Sequence, residues 1–144
     1  MDIHFKKITI LGVGLIGGSF ARVCKKKGIA TSIVGFGRQE ANLRKAVELG
    51  VIDEYRLNLL EAVDQADFVL IAVPIDSILP LVKKMSSYLK KDAIISDVGS
   101  VKGSLVEKIE AILPDGVHFV GAHPIAGTEN SGVGASFAEL FEGS

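Results

Sequence analysis

Residues 8 to 20 read ITILGVGLIGGSF, with Gly12, Gly14 and Gly17 spaced as G-x-G-x-x-G directly behind an apolar run. Glycine inside a strand or helix costs stability, so such a cluster calls for a tight turn, a close approach or a ligand. At a strand-to-helix turn each position has its own use. Gly12 permits the turn, Gly14 lets a pyrophosphate reach the backbone, and Gly17 lets the helix pack close to the sheet. Free N–H groups and the positive end of the helix then hold the phosphate charge. Val13, Leu15 and Ile16 complete the loop as candidate cofactor-binding residues. Two later segments could transfer a proton: SDVGSVKGS (96–104), with Ser100, and GAHPIAGTENSG (121–132), with His123. A neutral imidazole is a general base near neutral pH, and a serine hydroxyl beside it can bond the same oxygen or orient the ring. Each also has a plainer use, the histidine in satisfying backbone groups at a strand end and the serine in capping a helix. Neither residue alone identifies a reaction.

These groups can converge only if the chain brings their segments to one edge. KITILG (7–12) is a strand-length apolar run, followed by a helix from Leu15 to Lys27 that Gly28 ends. TSIVGF (31–36) reads as a second strand, EANLRKAVELG as a second helix and VIDEY as a short third strand. DFVLIAVP (67–74) is almost uninterruptedly apolar, as expected for a strand buried on both faces of a parallel sheet. Asp76 is placed to cap the next helix, which has Ile78, Val82, Met85 and Leu89 on one face and Pro80 near its first turn. AIISDVG (93–99) follows as a fifth strand, Leu105, Ile109 and Ile112 mark another helix face, and HFVGAHP (118–124) is a sixth strand. Strand and helix alternate throughout, which predicts an α/β fold: a doubly wound parallel sheet of six main strands, with ligands beyond the strands' carboxyl ends. Val73 and Pro74, leaving the fourth strand, and Ser100, beyond the fifth, therefore join the candidate cofactor site.

Composition narrows the partners. The 144 residues are 48% hydrophobic, enough for one domain with a real core, and 16 basic against 17 acidic residues give no bulk field for nucleic acid or an anionic membrane. No run reaches the roughly 20 apolar residues of a membrane-spanning helix. Lys6 and Lys7 before an uncharged stretch superficially resemble a signal peptide, but the glycine spacing suits a turn better than an apolar helix. A single cysteine, Cys24, excludes an internal disulfide and a multi-cysteine metal site. No metal is expected, and a reduced cytoplasmic location fits.

The choice of dinucleotide turns on the end of the second strand, where an acid would bind the ribose diol of NAD. Here VGFGRQE offers Gly37 and Arg38. No acid repels a 2′-phosphate and Arg38 can pair with one, which favours NADP; a solvated Arg38, with NAD held through backbone groups, is the alternative.

ITILGVGLIGGSFA, VLIAVP, SDVGSVKGSL and HPIAGTENSG, in that order and spacing, resemble the prephenate dehydrogenase family of tyrosine biosynthesis, which includes arogenate and cyclohexadienyl dehydrogenases. The likeness covers nearly the whole chain. Its glycine motif is common to many dehydrogenases, whereas DVGSVK with HPIAGTE is specific. The resemblance implies that His123 contacts the ring hydroxyl that is oxidised, that Ser100 lies beside it, and that Glu129, with the neighbouring Thr128, lies at the substrate entrance. It implies oxidative decarboxylation of prephenate to 4-hydroxyphenylpyruvate, or of arogenate to tyrosine. An NADP(H)-sensing module without catalysis would need the glycine loop but neither Ser100 nor His123. A related hydroxyacid dehydrogenase would lack HPIAGTE. The substrate is a dianion, yet 96–104 and 121–134 contain only Lys102 as a cationic clamp. Family members carry a helical domain that supplies such groups and the homodimer contacts. Residues 1–144 are therefore expected to be the dinucleotide-binding domain of a longer protein, binding nucleotide but inactive alone.

Overall fold

The computed structural model describes residues 4–97 and 103–120, without the side chains of Leu15 and Ile16. Among these residues six strands form one sheet: β1 (Phe5–Leu11), β2 (Ala30–Phe36), β3 (Glu54–Arg56), β4 (Phe68–Ile71), β5 (Ile94–Asp97) and β6 (His118–Phe119). Their order is β3-β2-β1-β4-β5-β6 and every pairing is parallel. Parallel neighbours need crossovers, and helices supply them: α1 (Leu15–Lys27), α2 (Glu40–Glu48), α3 (Leu59–Val63), α4 (Ile75–Met85) and α5 (Gly103–Ile112). The order runs outward in both directions from β1 and β4, so the crevice between these strands is where a doubly wound sheet receives its ligand.

Strand alternation divides the core in two. Ile8 and Ile10 of β1 and Phe68 and Leu70 of β4 pack with Phe20, Ala21 and Cys24 of α1 and with Leu43 and Ala46 of α2. Leu11, Val69 and Ile71 turn to the other face, against Leu59 and Val63 of α3, Ile78, Val82 and Met85 of α4, and Ile109 of α5. The Phe20 and Phe68 rings stack with centroids 5.7 Å apart, fixing α1 over β4. At the opposite edge from the crevice, the Asp67 carboxylate accepts the Lys6 N–H (2.6 Å) and Lys7 N–H (3.2 Å) and pairs with Lys90, tying the starts of β1, β4 and β5 together.

Several local expectations shift. β3 begins at Glu54 rather than Val51, because the Val51 and Ile52 N–H groups still bond the Ala46 carbonyl at the end of α2 and both side chains serve as core anchors. β4 spans only Phe68–Ile71, and 72–74 leave the sheet. Asp76 does not cap α4: Pro74 occupies the cap, with no side-chain cap bond, and Asp76 lies in the first helical turn. Pro80 is the sixth residue of α4, beyond its first turn. α3 was not foreseen; Asn58 caps it by accepting the Glu61 N–H at 3.1 Å.

Candidate functional site

β1 ends at Leu11, and the sheet ladder continues one step further as the Gly12 N–H bonds the Phe36 carbonyl at 2.8 Å. The chain then turns through Gly12 at φ +96°, a conformation that disfavours side chains. A Cβ there would also lie 2.5 Å from the Ala72 carbonyl oxygen, so this residue must be glycine on two grounds. Gly17 answers a steric demand alone, since its Cβ would collide with the Gly12 carbonyl oxygen. The first turn of α1 thus seats directly on the β1 turn. Gly14 differs from both: its φ of −113° is not the left-handed conformation that calls for glycine, and an added Cβ would meet nothing within 4 Å. No packing demand explains a glycine at 14, which leaves open space beside the helix N-terminus. α1 has no acid in its first turn and Lys25, Lys26 and Lys27 in its last, so its dipole is unopposed where an anion would sit.

Above this turn lies a cleft of about 520 Å³. The loop side contributes Gly12, Val13 and Gly14, the end of β2 contributes Phe36, Gly37, Arg38 and Gln39, and the end of β4 contributes Ala72, Val73 and Pro74. Asn42 and Leu43 of α2 and Ser77 and Leu81 of α4 close the walls. Among the sequence-derived cofactor residues, Gly12, Val13, Gly14, Gly37, Arg38, Val73 and Pro74 therefore meet at one place, and Gly17 lies buried against the Gly12 carbonyl. Leu15 opens α1, followed by Ile16. Ser100, His123, Thr128, Glu129 and Lys102 lie outside the described residues. The chain leaves β5 at Asp97, three residues before Ser100, and β6 at Phe119, four before His123; both strands run parallel to β1, so their carboxyl ends share its edge.

The lining has apolar walls in Val13, Phe36, Leu43, Val73 and Leu81, and apart from Ser77 its polar side chains gather at the β2 end. There the Asn42 amide donates to Gln39 Oε1 at 2.7 Å, beside the exposed Arg38. Among the described residues no carboxylate lines the cleft and none pairs with Arg38. A cleft of this kind can hold a dinucleotide, with its pyrophosphate at the glycine turn and an anionic group at Arg38. Asn42, Ser77 and Gln39 went unnoticed in the sequence. Asn42 and Ser77 are each the third residue of the helix following a strand that flanks β1, a shared position that would have marked both.

Comparison with known proteins places this chain in a family. Residues 20–144 match the family model described as prephenate dehydrogenase, nucleotide-binding domain. The cyclohexadienyl dehydrogenase of Zymomonas mobilis is 40% identical over 138 residues, covering 96% of this chain and 47% of that protein. The crystal structure of prephenate dehydrogenase from A. aeolicus, in complex with hydroxyphenyl propionate and NAD+, superposes with a TM-score of 0.77 at 38% identity, covering 89% of this chain and 44% of that one. Synechocystis arogenate dehydrogenase gives a TM-score of 0.73 at 35% identity, covering 85% of this chain and 42% of that one. The chain spans less than half the length of the curated relatives it matches.

Proposed function

The chain belongs to the prephenate dehydrogenase family through its nucleotide-binding domain, and from that premise we propose that it holds NADP for the oxidative decarboxylation of prephenate to 4-hydroxyphenylpyruvate in tyrosine biosynthesis. The observation that carries the cofactor assignment is the β2 end of the cleft, where Arg38 stands without a carboxylate partner or neighbour in the lining. NAD would call for an acid at this strand end; a 2′-phosphate calls for the arginine.

Gly12, Gly14 and the first turn of α1 hold the pyrophosphate, Arg38 meets the 2′-phosphate, and Val73 and Pro74 wall the β4 side. The bound nucleotide supplies the hydride acceptor. His123 accepts the proton of the ring hydroxyl at its imidazole, a contribution of about 10²- to 10⁴-fold for a positioned general base. Ser100 hydrogen-bonds the same oxygen or orients the imidazole, and Thr128 and Glu129 border the entering substrate. Loss of hydride and proton leaves a carbonyl conjugated through the ring; loss of carbon dioxide from the opposite carbon sends its bonding pair through the ring to that oxygen, which takes back a proton to give the aromatic phenol. Aromaticity drives the reaction, so the protein's work is positioning and proton acceptance.

Arogenate, the amino analogue, is the second candidate substrate, on the likeness to the Synechocystis arogenate dehydrogenase. One candidate lysine, Lys102, leaves a second substrate carboxylate unmatched. We assign that contact and a homodimer interface to a helical domain of the whole protein, which we place in the cytoplasm. The test is steady-state kinetics of the full-length protein with prephenate and arogenate, each with NADP+ and NAD+, followed by absorbance of the reduced nicotinamide. Turnover of prephenate with NADP+ is expected, and residues 1–144 alone should bind nucleotide without turnover. Nucleotide binding by the full-length protein with neither substrate consumed would leave a sensing module instead.

A further inference from the structure

An acid stands at the edge of the cleft after all, turned away from it. Glu40 is the first residue of α2, next to Gln39 and two residues from Arg38, both of which line the cleft. A carboxylate at a helix N-terminus is favoured by the dipole, which accounts for its presence. Directed into the cleft it would neutralise Arg38 and repel a 2′-phosphate. Instead, Tyr55 Oη donates to Glu40 Oε2 at 2.6 Å, and Arg44 Nη2, one turn along α2, lies 3.5 Å from the same oxygen. Tyr55 is anchored for this task. It sits in β3 opposite Gly35 of β2, and its ring packs against the core beneath α2. The hydroxyl is therefore presented from the sheet, on the β3 side of the helix.

We propose that Tyr55, assisted by Arg44, is a specificity-positioning residue: by tethering the Glu40 carboxylate on the β3 side of α2 it keeps the 2′-phosphate end of the cleft free of negative charge. This rests on the NADP assignment for the same cleft. Tyr55 touches no nucleotide in this scheme and acts only through Glu40. The tether joins an exposed acid to two partners, so its loss frees a mobile side chain without emptying the core.

The test is calorimetric titration of residues 1–144 with NADP+ and with NAD+. Tyr55→Phe should weaken NADP+ binding about three- to tenfold, as expected for a unit negative charge freed within roughly 7 Å of a phosphate in a water-screened site, and leave NAD+ within about twofold. Adding Glu40→Gln to Tyr55→Phe should restore the wild-type ratio, whereas Glu40→Gln alone should change it less than about twofold, a coupling that a merely structural tyrosine would not produce. Arg44→Ala, on an exposed side chain, loosens the same carboxylate without touching the core and should shift the ratio the same way by less, again rescued by Glu40→Gln. An unchanged ratio in both Tyr55→Phe and Arg44→Ala would overturn the tether, as would equal loss of both nucleotides unrescued by Glu40→Gln. The wild-type and Arg38→Ala titrations separate the two claims. Wild type preferring NAD+ removes the NADP assignment and the tether with it, while an Arg38-dependent NADP+ preference that ignores Tyr55 and Arg44 removes the tether alone.

Discussion

Alanine at Gly12 and at Gly14, made separately, should divide folding from binding. At Gly12 the backbone is at φ +96° and the new Cβ would lie 2.5 Å from the Ala72 carbonyl oxygen. The disfavoured conformation costs about 1–3 kcal/mol and forced overpacking a similar amount, so Gly12→Ala should lose roughly 2–6 kcal/mol. Unfolding entropy of about 2.1 cal/mol/K per residue gives about 0.3 kcal/mol/K for a chain of this length, so the melting midpoint should fall roughly 7–20 °C. At Gly14 the φ is −113° and the new Cβ meets nothing within 4 Å. Stability should stay within about 1 kcal/mol of wild type, or about 3 °C. The same methyl group, however, enters the space that the proposal gives to the pyrophosphate. Displacing a phosphate from one charge-assisted hydrogen bond costs about 1.5–3 kcal/mol, so NADP+ should bind roughly 10- to 150-fold more weakly. Thermal melts by circular dichroism and calorimetric titration read the two effects on one preparation. If Gly14→Ala binds as wild type does, the open space is not a phosphate site. If it melts as low as Gly12→Ala, both glycines serve packing.

Other expectations concern single side chains. Burial opposes ionisation of Asp67 more than any one other influence, yet Lys90 and the Lys7 and Lys6 N–H groups together hold its carboxyl below the ordinary 3.8. A depressed folded-state pKa stabilises above the unfolded value and is lost as pH falls through the folded one, so Asp67→Asn should melt about 3 °C below wild type at neutral pH, on the scale of one hydrogen bond. That gap should close as the pH drops below 3.8; a gap independent of pH would show that the charge contributes nothing. Burial pushes the Cys24 thiol up to about 12, so a disulfide exchange reagent at mildly alkaline pH should leave it unmodified until denaturant is added. Rapid modification of the native protein would contradict that burial. In the full-length protein, His123→Asn should lower kcat by at least about 10²-fold at unchanged nucleotide affinity, and near-normal turnover would remove His123 as the base.

What could be read from the sequence was whatever local pattern determines. The β1 turn announces itself because three glycines within six residues have no other economical use, and the long apolar stretches around Ile8, Val34 and Val69 mark strands buried on both faces. Helix α3 escaped because five residues are too few to display a period, and its one signal, Asn58 three residues before Glu61, is a common polar spacing. β3 was displaced because Val51 and Ile52 look like strand residues but are core anchors still bonded to the end of α2. Asp76 has the chemistry of a cap, but Pro74, with φ already fixed near the value the turn requires, took that position two residues earlier. The convergence of the glycine turn and Arg38 on one cleft was legible. Asn42, Ser77 and the Glu40–Tyr55 contact were not, because the first two acquire a role only when the strand order brings α2 and α4 to one cleft, and Tyr55 reaches Glu40 across a β2–β3 pairing.

On the proposed function, the cleft over the β1 turn holds a dinucleotide by its phosphates and prefers the one with a 2′-phosphate at Arg38. Calorimetric titration of wild type and Arg38→Ala with NADP+ and NAD+ measures it directly. Wild type should bind NADP+ about tenfold tighter, at the lower end of the range for a charge-assisted contact because Arg38 is exposed, and Arg38→Ala should bring the two affinities together. Tighter binding of NAD+ by wild type, or an NADP+ preference that survives Arg38→Ala, would contradict it.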